Sequence, residues 1–158
     1  MNATTESDVS LLDPYRAEWT SLRAHRHNLL IEGPVTATHA ALLLLKPHIG
    51  APIEWKRPQG RFKLPSREGG ALILEDVETL TAQDQTELLV RLDRARSHPQ
   101  IISTTEHSLF ALVARGLFDP ALYYRLNVVL LRFNERDRDA AQGRQPYHSV
   151  PISTPPPL

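Results

Sequence analysis

The sequence contains no cysteine and carries no net charge. Its 158 residues include 18 Lys and Arg against 18 Asp and Glu. Without cysteine the chain forms no disulfide, has no thiol nucleophile and cannot build a zinc or iron–sulfur site with thiolate ligands. Because there is no basic excess, the composition also gives no support for direct DNA binding.

Long hydrophobic runs are also missing. The longest, Ala40–Leu45, is far shorter than the roughly 20 residues that a helix needs to cross a bilayer. The first residues lack a positively charged segment followed by an apolar one, so no secretory signal is visible. With 41% hydrophobic and 23% charged residues, the composition is that of a globular protein. We therefore expect a cytoplasmic protein that does not bind membranes.

Short apolar runs alternate with segments that have a helical pattern. Runs that end at turn residues are typical of buried strands, and strands that alternate with helices predict a parallel, doubly wound α/β sheet. The predicted strands are Leu29–Ile31, Pro52–Lys56, Ala71–Leu74, Gln100–Ser103 and Leu126–Arg132. The predicted helices are Leu11–His27, Thr36–Leu45, Thr81–Ser97 and Ser108–Arg115.

The two ends of the chain differ in composition from its centre. Residues 1–10 are polar and are expected to be disordered. Residues 11–133 contain all the predicted strands and helices and are expected to form the α/β core. From residue 134 the chain is polar, and five of its 13 prolines fall in the last 13 residues. We expect residues 134–158 to be a disordered or polyproline-like tail.

Three segments, taken in order, resemble one protein family. The most specific is Gly116–Val128, which is similar to the family stretch Gly-x-Phe-Arg-x-Asp-Leu-Tyr-Tyr-Arg-Leu-Asn-Val. Gly60–Phe62 with Gly69–Val77 is similar to the family's Gly-x-Phe lead-in and Walker B strand, and Ile102–Thr105 to its sensor I strand. The family is the AAA+ domain of the sigma-54-dependent transcription activators, the bacterial enhancer-binding proteins. The resemblance covers about residues 12–133.

The resemblance implies a three-layer, P-loop NTPase-like (AAA+) parallel sheet, together with two parts that this sequence does not show. The family has a helical lid after the last strand, whereas only 25 residues follow Phe133 here. We therefore expect a core that lacks the lid subdomain. The family contacts sigma-54 through a loop with the motif Gly-Ala-Phe-Thr-Gly-Ala, and residues 57–70 do not contain that motif.

The segment that matches the family's phosphate-binding loop is eroded. Such a loop needs glycines, bare backbone N–H groups and a lysine that reaches the phosphates. Gly33 matches the first glycine, but Thr38 stands at the second glycine and His39 at the lysine. With Thr36, these residues are the candidate nucleotide-binding set. They either hold a nucleotide weakly at a helix N-terminus or form a strand–turn–helix corner without a ligand.

The Walker B position carries Glu75 and Asp76, the reverse of the family's Asp-Glu order. The resemblance implies that the first acid helps to hold magnesium and the second polarises the attacking water. Glu75 can still reach a metal, but Asp76 is one methylene shorter than the glutamate it replaces. Because phosphoryl transfer depends on positioning, this exchange is expected to cost rate. The alternative is a pair of solvated acids without a role.

Three more positions are assigned by the resemblance. Thr105 matches the sensor I region, where a polar side chain orients water, although a Thr at a strand end is common without that role. Arg125 matches one of the family's two arginine fingers, and its alternative role is structural ion pairing. Asp119 stands at the other finger and inverts its charge. No metal site is expected.

These features favour a non-catalytic regulatory or scaffold protein that uses an AAA+ surface to bind a protein partner, such as a related activator. No cofactor is expected. The alternative is a nucleotide-binding protein with weak ATP and magnesium binding and slow hydrolysis, and a third is a gene product without a selected role. Since the lid, one finger and an intact nucleotide loop are missing, we expect a monomer or dimer and not the family's hexameric ring.

Overall fold

Five parallel strands form one sheet in the computed structural model, which describes residues 11–58, 69–94 and 99–141. Across the sheet the strand order is β2-β3-β4-β1-β5, and every neighbouring pair is parallel. The strands are β1 Leu29–Glu32, β2 Ile53–Lys56, β3 Ala71–Leu74, β4 Gln100–Thr105 and β5 Val129–Arg132.

Helices connect the strands and lie on both faces of the sheet. The α-helices are α1 Arg16–Ala24, α2 Val35–Leu45, α3 Ala82–Arg94, α4 Leu109–Ala114, α5 Pro120–Leu126 and α6 Glu135–Ala141. Short 3-10 turns cover Asp13–Tyr15, Lys46–His48 and Val77–Thr79. Within the described ranges, no helix combines the length and apolar character needed to cross a bilayer.

The central strands are buried on both faces, which explains their uninterrupted apolar sequences. Successive side chains of a strand point to opposite faces, so each strand contributes to two cores. Leu30, Leu72 and Ile101 pack with α3, α4 and α5. Leu29 and Ile102 pack on the other face with α1 and α2. The predicted α/β sheet with three layers is confirmed.

The segment before β5 is helical, and the prediction of a strand from Leu126 to Arg132 was wrong at its beginning. Asp119 caps α5, since its carboxylate accepts a hydrogen bond from the backbone N–H of Leu122 at 2.9 Å. Pro120 occupies the first helical position, where its missing N–H costs nothing. The capped turn therefore starts a helix, and this helix includes Tyr123 and Tyr124 although tyrosine favours strands.

The helix α6 lies within residues 134–158, the segment expected to be an extended tail, so that expectation is corrected for residues 135–141. Asn134 caps it by accepting from the N–H groups of Arg136 and Asp137, and Asp137 accepts in return from the N–H of Asn134 at 2.6 Å. An ion pair joins Glu135 and Arg138, and α6 packs against α2. Residues 1–10 and 142–158 lie outside the described residues.

The two edges of the sheet are treated differently. At β5, the Tyr15 hydroxyl donates a hydrogen bond to the outward-facing carbonyl of Arg132, and the Tyr15 ring packs edge-on against Phe133 with centroids 5.3 Å apart. At the opposite edge, no described residue adds a strand beyond β2. Trp55 of β2 remains 36% exposed.

Removal of the Tyr15 hydroxyl tests the cover over β5. Tyr15→Phe is expected to lower the free energy of unfolding by about 1 kcal/mol near neutral pH, because it removes one side-chain hydrogen bond. Burial, aided by the negative charge of Asp137, raises the pKa of Tyr15 above its usual 10.0. The folded state thus favours the neutral phenol. The contribution of Tyr15 to the free energy of unfolding is fully present below pH 10.0 and is lost as the pH rises through the folded pKa.

Chemical denaturation near neutral pH and above pH 10 measures both effects. The unfolding free energy of the wild type should fall more steeply in alkali than that of Tyr15→Phe. Tyr124→Phe is the matched control, since Tyr124 is exposed. Equal alkaline slopes for the wild type and Tyr15→Phe would contradict the assignment.

Candidate functional site

The candidate residues from the sequence divide between two edges of the sheet. Gly33, Glu75, Asp76 and Thr105 lie at the carboxyl edge, where β1, β3 and β4 end. Ligands of open parallel sheets bind outside this edge. Arg125 lies at the amino edge, because α5 ends just before β5 begins. The structure therefore brings four candidates to one edge and leaves Arg125 at the other.

The β1–α2 connection is a two-residue turn made of Gly33 and Pro34. α2 already begins at Val35, and the Thr38 N–H donates to the Pro34 carbonyl at 3.0 Å, as in any helical turn. The Thr38 hydroxyl donates to the Val35 carbonyl. Hence Thr38 is a buried helix residue and does not stand in a loop.

The other candidates from this segment are also helical. Thr36 lies in the first turn of α2 and is exposed. His39 is exposed one turn into the helix, and its ring lies 6.1 Å from the ring of Trp55. The described residues thus contain no loop in which Thr36, Thr38 and His39 surround a phosphate.

Gly33 has a conformational role in this turn. Its φ of +146° lies outside the range that other residues adopt readily. A Cβ placed on it would lie 2.7 Å from the carbonyl oxygen of Phe133, which is far below van der Waals contact. The glycine is therefore needed where β1 passes close to the end of β5.

None of residues 33–35 offers a free backbone N–H group. Gly33 N–H donates to the Thr105 carbonyl at 2.9 Å. Pro34 has no N–H. Val35 N–H points to the carboxylate of Glu106 at 3.4 Å, so an acidic side chain of this chain stands where a helix N-terminus attracts an anion. Sequence reasoning missed Glu106, which comes to the turn from beyond β4.

Glu32 is a buried carboxylate that the motif search also missed. One oxygen accepts from the Leu109 N–H at 2.9 Å, at the beginning of α4. The other accepts from the guanidinium of Arg132 on β5 at 2.9 Å. Glu32 thereby ties β1, α4 and β5 together. Its only sequence signal is an acid at the end of an otherwise apolar strand.

The acids after β3 are both paired with Arg57, which follows β2. A guanidinium Nη2 lies 3.2 Å from Glu75 Oε2, and Nε lies 3.0 Å from Asp76 Oδ2. Asp76 adopts a left-handed conformation with φ of +52°, which Asp tolerates better than most residues. The parallel register of β2 and β3 places Arg57 beside these carboxylates.

This pairing changes the electrostatics of the Walker B position. The guanidinium offsets one of the two negative charges: it donates a charge-assisted hydrogen bond to Glu75 and forms an ion pair with Asp76. A magnesium ion would have to displace it. Among the described residues, no group of three or more His, Asp or Glu side chains is arranged to hold a metal ion. Magnesium at these acids would therefore compete with the guanidinium.

Thr105 is buried and bonded within its own turn. Its Oγ1 donates to the His107 carbonyl and accepts from the His107 N–H, both at 3.1 Å. The hydroxyl thus organises the end of β4.

Arg125 and Asp119 have structural partners. The Arg125 guanidinium forms an ion pair with Asp93 of α3. The backbone carbonyl of Arg125 accepts a hydrogen bond from the Asn28 side chain at 2.8 Å. Asp119 is the cap of α5, and its N–H donates to the Gln85 side chain at 2.7 Å. The pairing role that the sequence left open for Arg125 is therefore present in the fold.

Exposed aromatic residues form a surface on α4 and α5. Phe110 is 56% exposed and Tyr124 68% exposed, and Leu117, in the connection between the helices, is 57% exposed. The three rings are in contact in series, since the ring centroid of Tyr123 lies 6.1 Å from that of Phe110 and 5.2 Å from that of Tyr124. We call Phe110, Tyr123 and Tyr124 the α4–α5 surface.

Comparison with known sequences gives one family. Residues 58–135 match the family described as the sigma-54 interaction domain. The DNA-binding transcriptional regulator NtrC of Rhizobium meliloti (strain 1021) is 37% identical over 94 residues, which cover 52% of this chain and 19% of NtrC. The transcriptional regulatory protein GlrR of Escherichia coli (strain K12) is 38% identical over 85 residues, 47% of this chain and 19% of GlrR. The chain thus spans about a fifth of the length of these relatives.

Solved structures show the same fold. NtrX from Brucella abortus in complex with ATP superposes with a TM-score of 0.60 at 19% identity, covering 85% of this chain and 38% of NtrX. The P-loop NTPase domain of the sigma-54 transport activator from E. coli gives 0.57 at 18% identity, covering 78% of this chain and 94% of that domain. The predicted resemblance to the AAA+ domain of sigma-54-dependent activators is confirmed, and the matched family segment begins after β1 and α2.

Replacement of Arg57 tests how the two acids are held. Arg57→Gln leaves Glu75 and Asp76 facing each other without a cation. The loss of unfolding free energy should stay below about 1 kcal/mol, since all three side chains are partly exposed. Magnesium should then stabilise the variant by about 1 kcal/mol at roughly five times its dissociation constant.

Thermal unfolding with and without magnesium measures the difference. The wild type should not respond to the ion. Arg16→Gln is the control, because it removes a more exposed ion pair, with Asp13, beside β5 and on the other side of the sheet from β2 and β3. A magnesium response of the wild type equal to that of Arg57→Gln would show that the guanidinium does not block the acids.

Proposed function

We propose that this chain, which resembles the AAA+ domain of sigma-54-dependent activators, is a non-catalytic regulatory or scaffold protein that acts through protein–protein contacts. The observation that carries the proposal is the β1–α2 turn. A phosphate cradle consists of free backbone N–H groups at a helix N-terminus. Here Gly33 N–H bonds to Thr105, Pro34 has none, and Val35 N–H faces Glu106.

The acids after β3 also support a non-catalytic role, because of what nucleotide hydrolysis requires of them. Hydrolysis of a nucleotide needs a metal between the phosphates and a carboxylate that positions the attacking water. Glu75 and Asp76 each give an oxygen to Arg57. Since catalytic groups must be held within fractions of an ångström, acids engaged in another ion pair are poor at this task. Weak ATP binding with slow hydrolysis remains the second candidate that the experiments must exclude.

The α4–α5 surface is the part of the molecule best suited to a protein partner. Aromatic side chains supply most of the binding energy in many protein interfaces. Phe110 and Tyr124 are more than half exposed in a chain with few aromatic residues. We propose that the partner is a protein, and specifically the AAA+ domain of a related activator. DNA is a poor partner because the net charge is zero.

We further propose that the chain is a monomer or dimer and does not form a closed hexamer. One reason is charge: in a ring, Asp119 of a neighbouring copy would face Glu75 and Asp76. The Arg57 pairing weakens this reason, since it offsets part of their negative charge. The other reason is stronger: residues 33–35 offer no free backbone N–H group to hold a nucleotide that could link subunits. Residues 57–70 contain no Gly-Ala-Phe-Thr-Gly-Ala motif, so contact with sigma-54 through such a loop is also not proposed.

The first test of the proposal is nucleotide binding. We expect no saturable binding of ATP by calorimetry and no phosphate release above a buffer blank, with or without magnesium, because the turn offers no cradle. A purified activator AAA+ domain serves as the positive control. Magnesium-dependent phosphate release that disappears in Glu75→Ala, or a hexamer that forms on addition of ATP, would overturn the non-catalytic assignment.

The second test concerns the partner surface. Phe110→Ala with Tyr124→Ala is expected to weaken binding to the AAA+ domain of a sigma-54-dependent activator by about tenfold or more, because both side chains are anchors of the α4–α5 surface. Leu43→Ala is the matched control, as Leu43 is an exposed apolar residue on α2. Calorimetry or sizing of mixtures measures the effect. Equal loss of binding in both variants, or stable binding to sigma-54 instead, would contradict the proposal.

A further inference from the structure

The outer side of β2 carries backbone groups that no described strand uses. Ala71 N–H donates to the Pro52 carbonyl and Glu75 N–H to the Lys56 carbonyl, both at 2.9 Å. Backbone groups alternate in direction along a strand, so residues 52, 54 and 56 face β3. The N–H and C=O groups of Ile53, Trp55 and Arg57 therefore point away from the sheet.

The side chains of β2 are also arranged for a neighbour. Trp55 lies on the α2 face of the sheet, near His39, and is partly exposed. Glu54 and Lys56 lie on the opposite face, where Lys56 Nζ is 3.1 Å from Glu54 Oε1, and both remain accessible. The strand thus presents one aromatic side chain on one face and two opposite charges on the other.

We propose that β2 pairs in antiparallel fashion with β2 of a second copy of this chain, with Trp55 at the centre. The inference is independent of the non-catalytic role proposed above, because it uses only the sheet edge. Antiparallel pairing about Trp55 places the outward N–H and C=O groups of Trp55 opposite the same groups of Trp55 of the partner subunit. Ile53 then meets Arg57 of the partner subunit, and all the outward-facing groups of the strand find partners.

Charge complementarity supports this register. Glu54 falls directly opposite Lys56 of the partner subunit, and Lys56 opposite Glu54 of the partner subunit. Both are non-hydrogen-bonded positions, at which Cα atoms approach to about 4.5 Å and side chains interact most closely. Each charge therefore gains an opposite charge across the interface in addition to the one within its own strand.

The sequence also limits the alternatives to this register. The other two-fold registers that the strand allows are centred on Ile53, Glu54, Lys56 or Arg57. A centre at Glu54 or Lys56 places that charge opposite its own copy, and a centre at Ile53 or Arg57 moves Glu54 away from Lys56 of the partner subunit. Because the paired segment is short, the dimer belongs among small, reversible interfaces.

Charge reversal tests the proposal. In sedimentation experiments over a range of concentrations, the wild type should form a reversible dimer. Glu54→Lys and Lys56→Glu each place like charges opposite each other at two positions and should raise the dimer dissociation constant by about tenfold or more. An equimolar mixture of the two variants should recover the affinity, as should the chain that carries both changes. Arg16→Glu, which changes an exposed charge at a distance, should have no effect.

Amide hydrogen exchange supplies a second measurement. The N–H groups of Ile53, Trp55 and Arg57 should become protected as the concentration rises, whereas those of Glu54 and Lys56 are protected throughout. Circular dichroism checks that the variants fold. A wild type that stays monomeric at the highest concentration, as it would if another segment or protein covered β2, overturns the proposal. A dimer that ignores the charge reversals, or a mixture that does not recover, overturns it equally.

Discussion

The buried carboxylate of Glu32 determines how the carboxyl edge of the sheet is assembled. An isolated charge at this depth would cost several kcal/mol, so its partners must stay close. They come from α4 and β5, through the Leu109 N–H and the Arg132 guanidinium. Phe133 N–H adds a bond to the Glu32 carbonyl, which pulls the end of β5 against Gly33. Once these contacts form, the space beside Gly33 is filled by protein.

The same edge is closed by charges that the chain supplies to itself. Glu106 lies at the beginning of α2, where a helix N-terminus attracts an anion such as phosphate. Arg57 lies between Glu75 and Asp76, where two carboxylates attract a cation such as a metal ion. Each internal group has the charge sign of the ligand that it replaces. The acids and the helix N-terminus at this edge are therefore compensated by charges within the chain.

The central strands were predictable because burial on both faces demands continuous apolar residues, as in Ala71–Leu74. The sequence also placed Glu75 and Asp76 correctly at the end of β3. Their partner Arg57 is set by the register of β2 on β3, which local patterns do not contain. The start of α2 was predicted to within one residue, whereas the contact of Gly33 with Phe133 joins residues far apart in sequence and has no local signal. The helix α5 was not predicted, although its cap at Asp119 is a local signal in the sequence.

The proposed contact surfaces lie on different parts of the molecule, which determines what they can do together. β2 is at one edge of the sheet, and β3 separates it from β4, the strand against which α5 packs. A dimer formed through β2 therefore leaves the α4–α5 surface of both copies free. Two linked copies of one binding surface engage a multivalent partner far more tightly than a single copy, because the second contact forms at a high effective concentration. A small chain could act on a larger assembly in this way, through the geometry of its contacts.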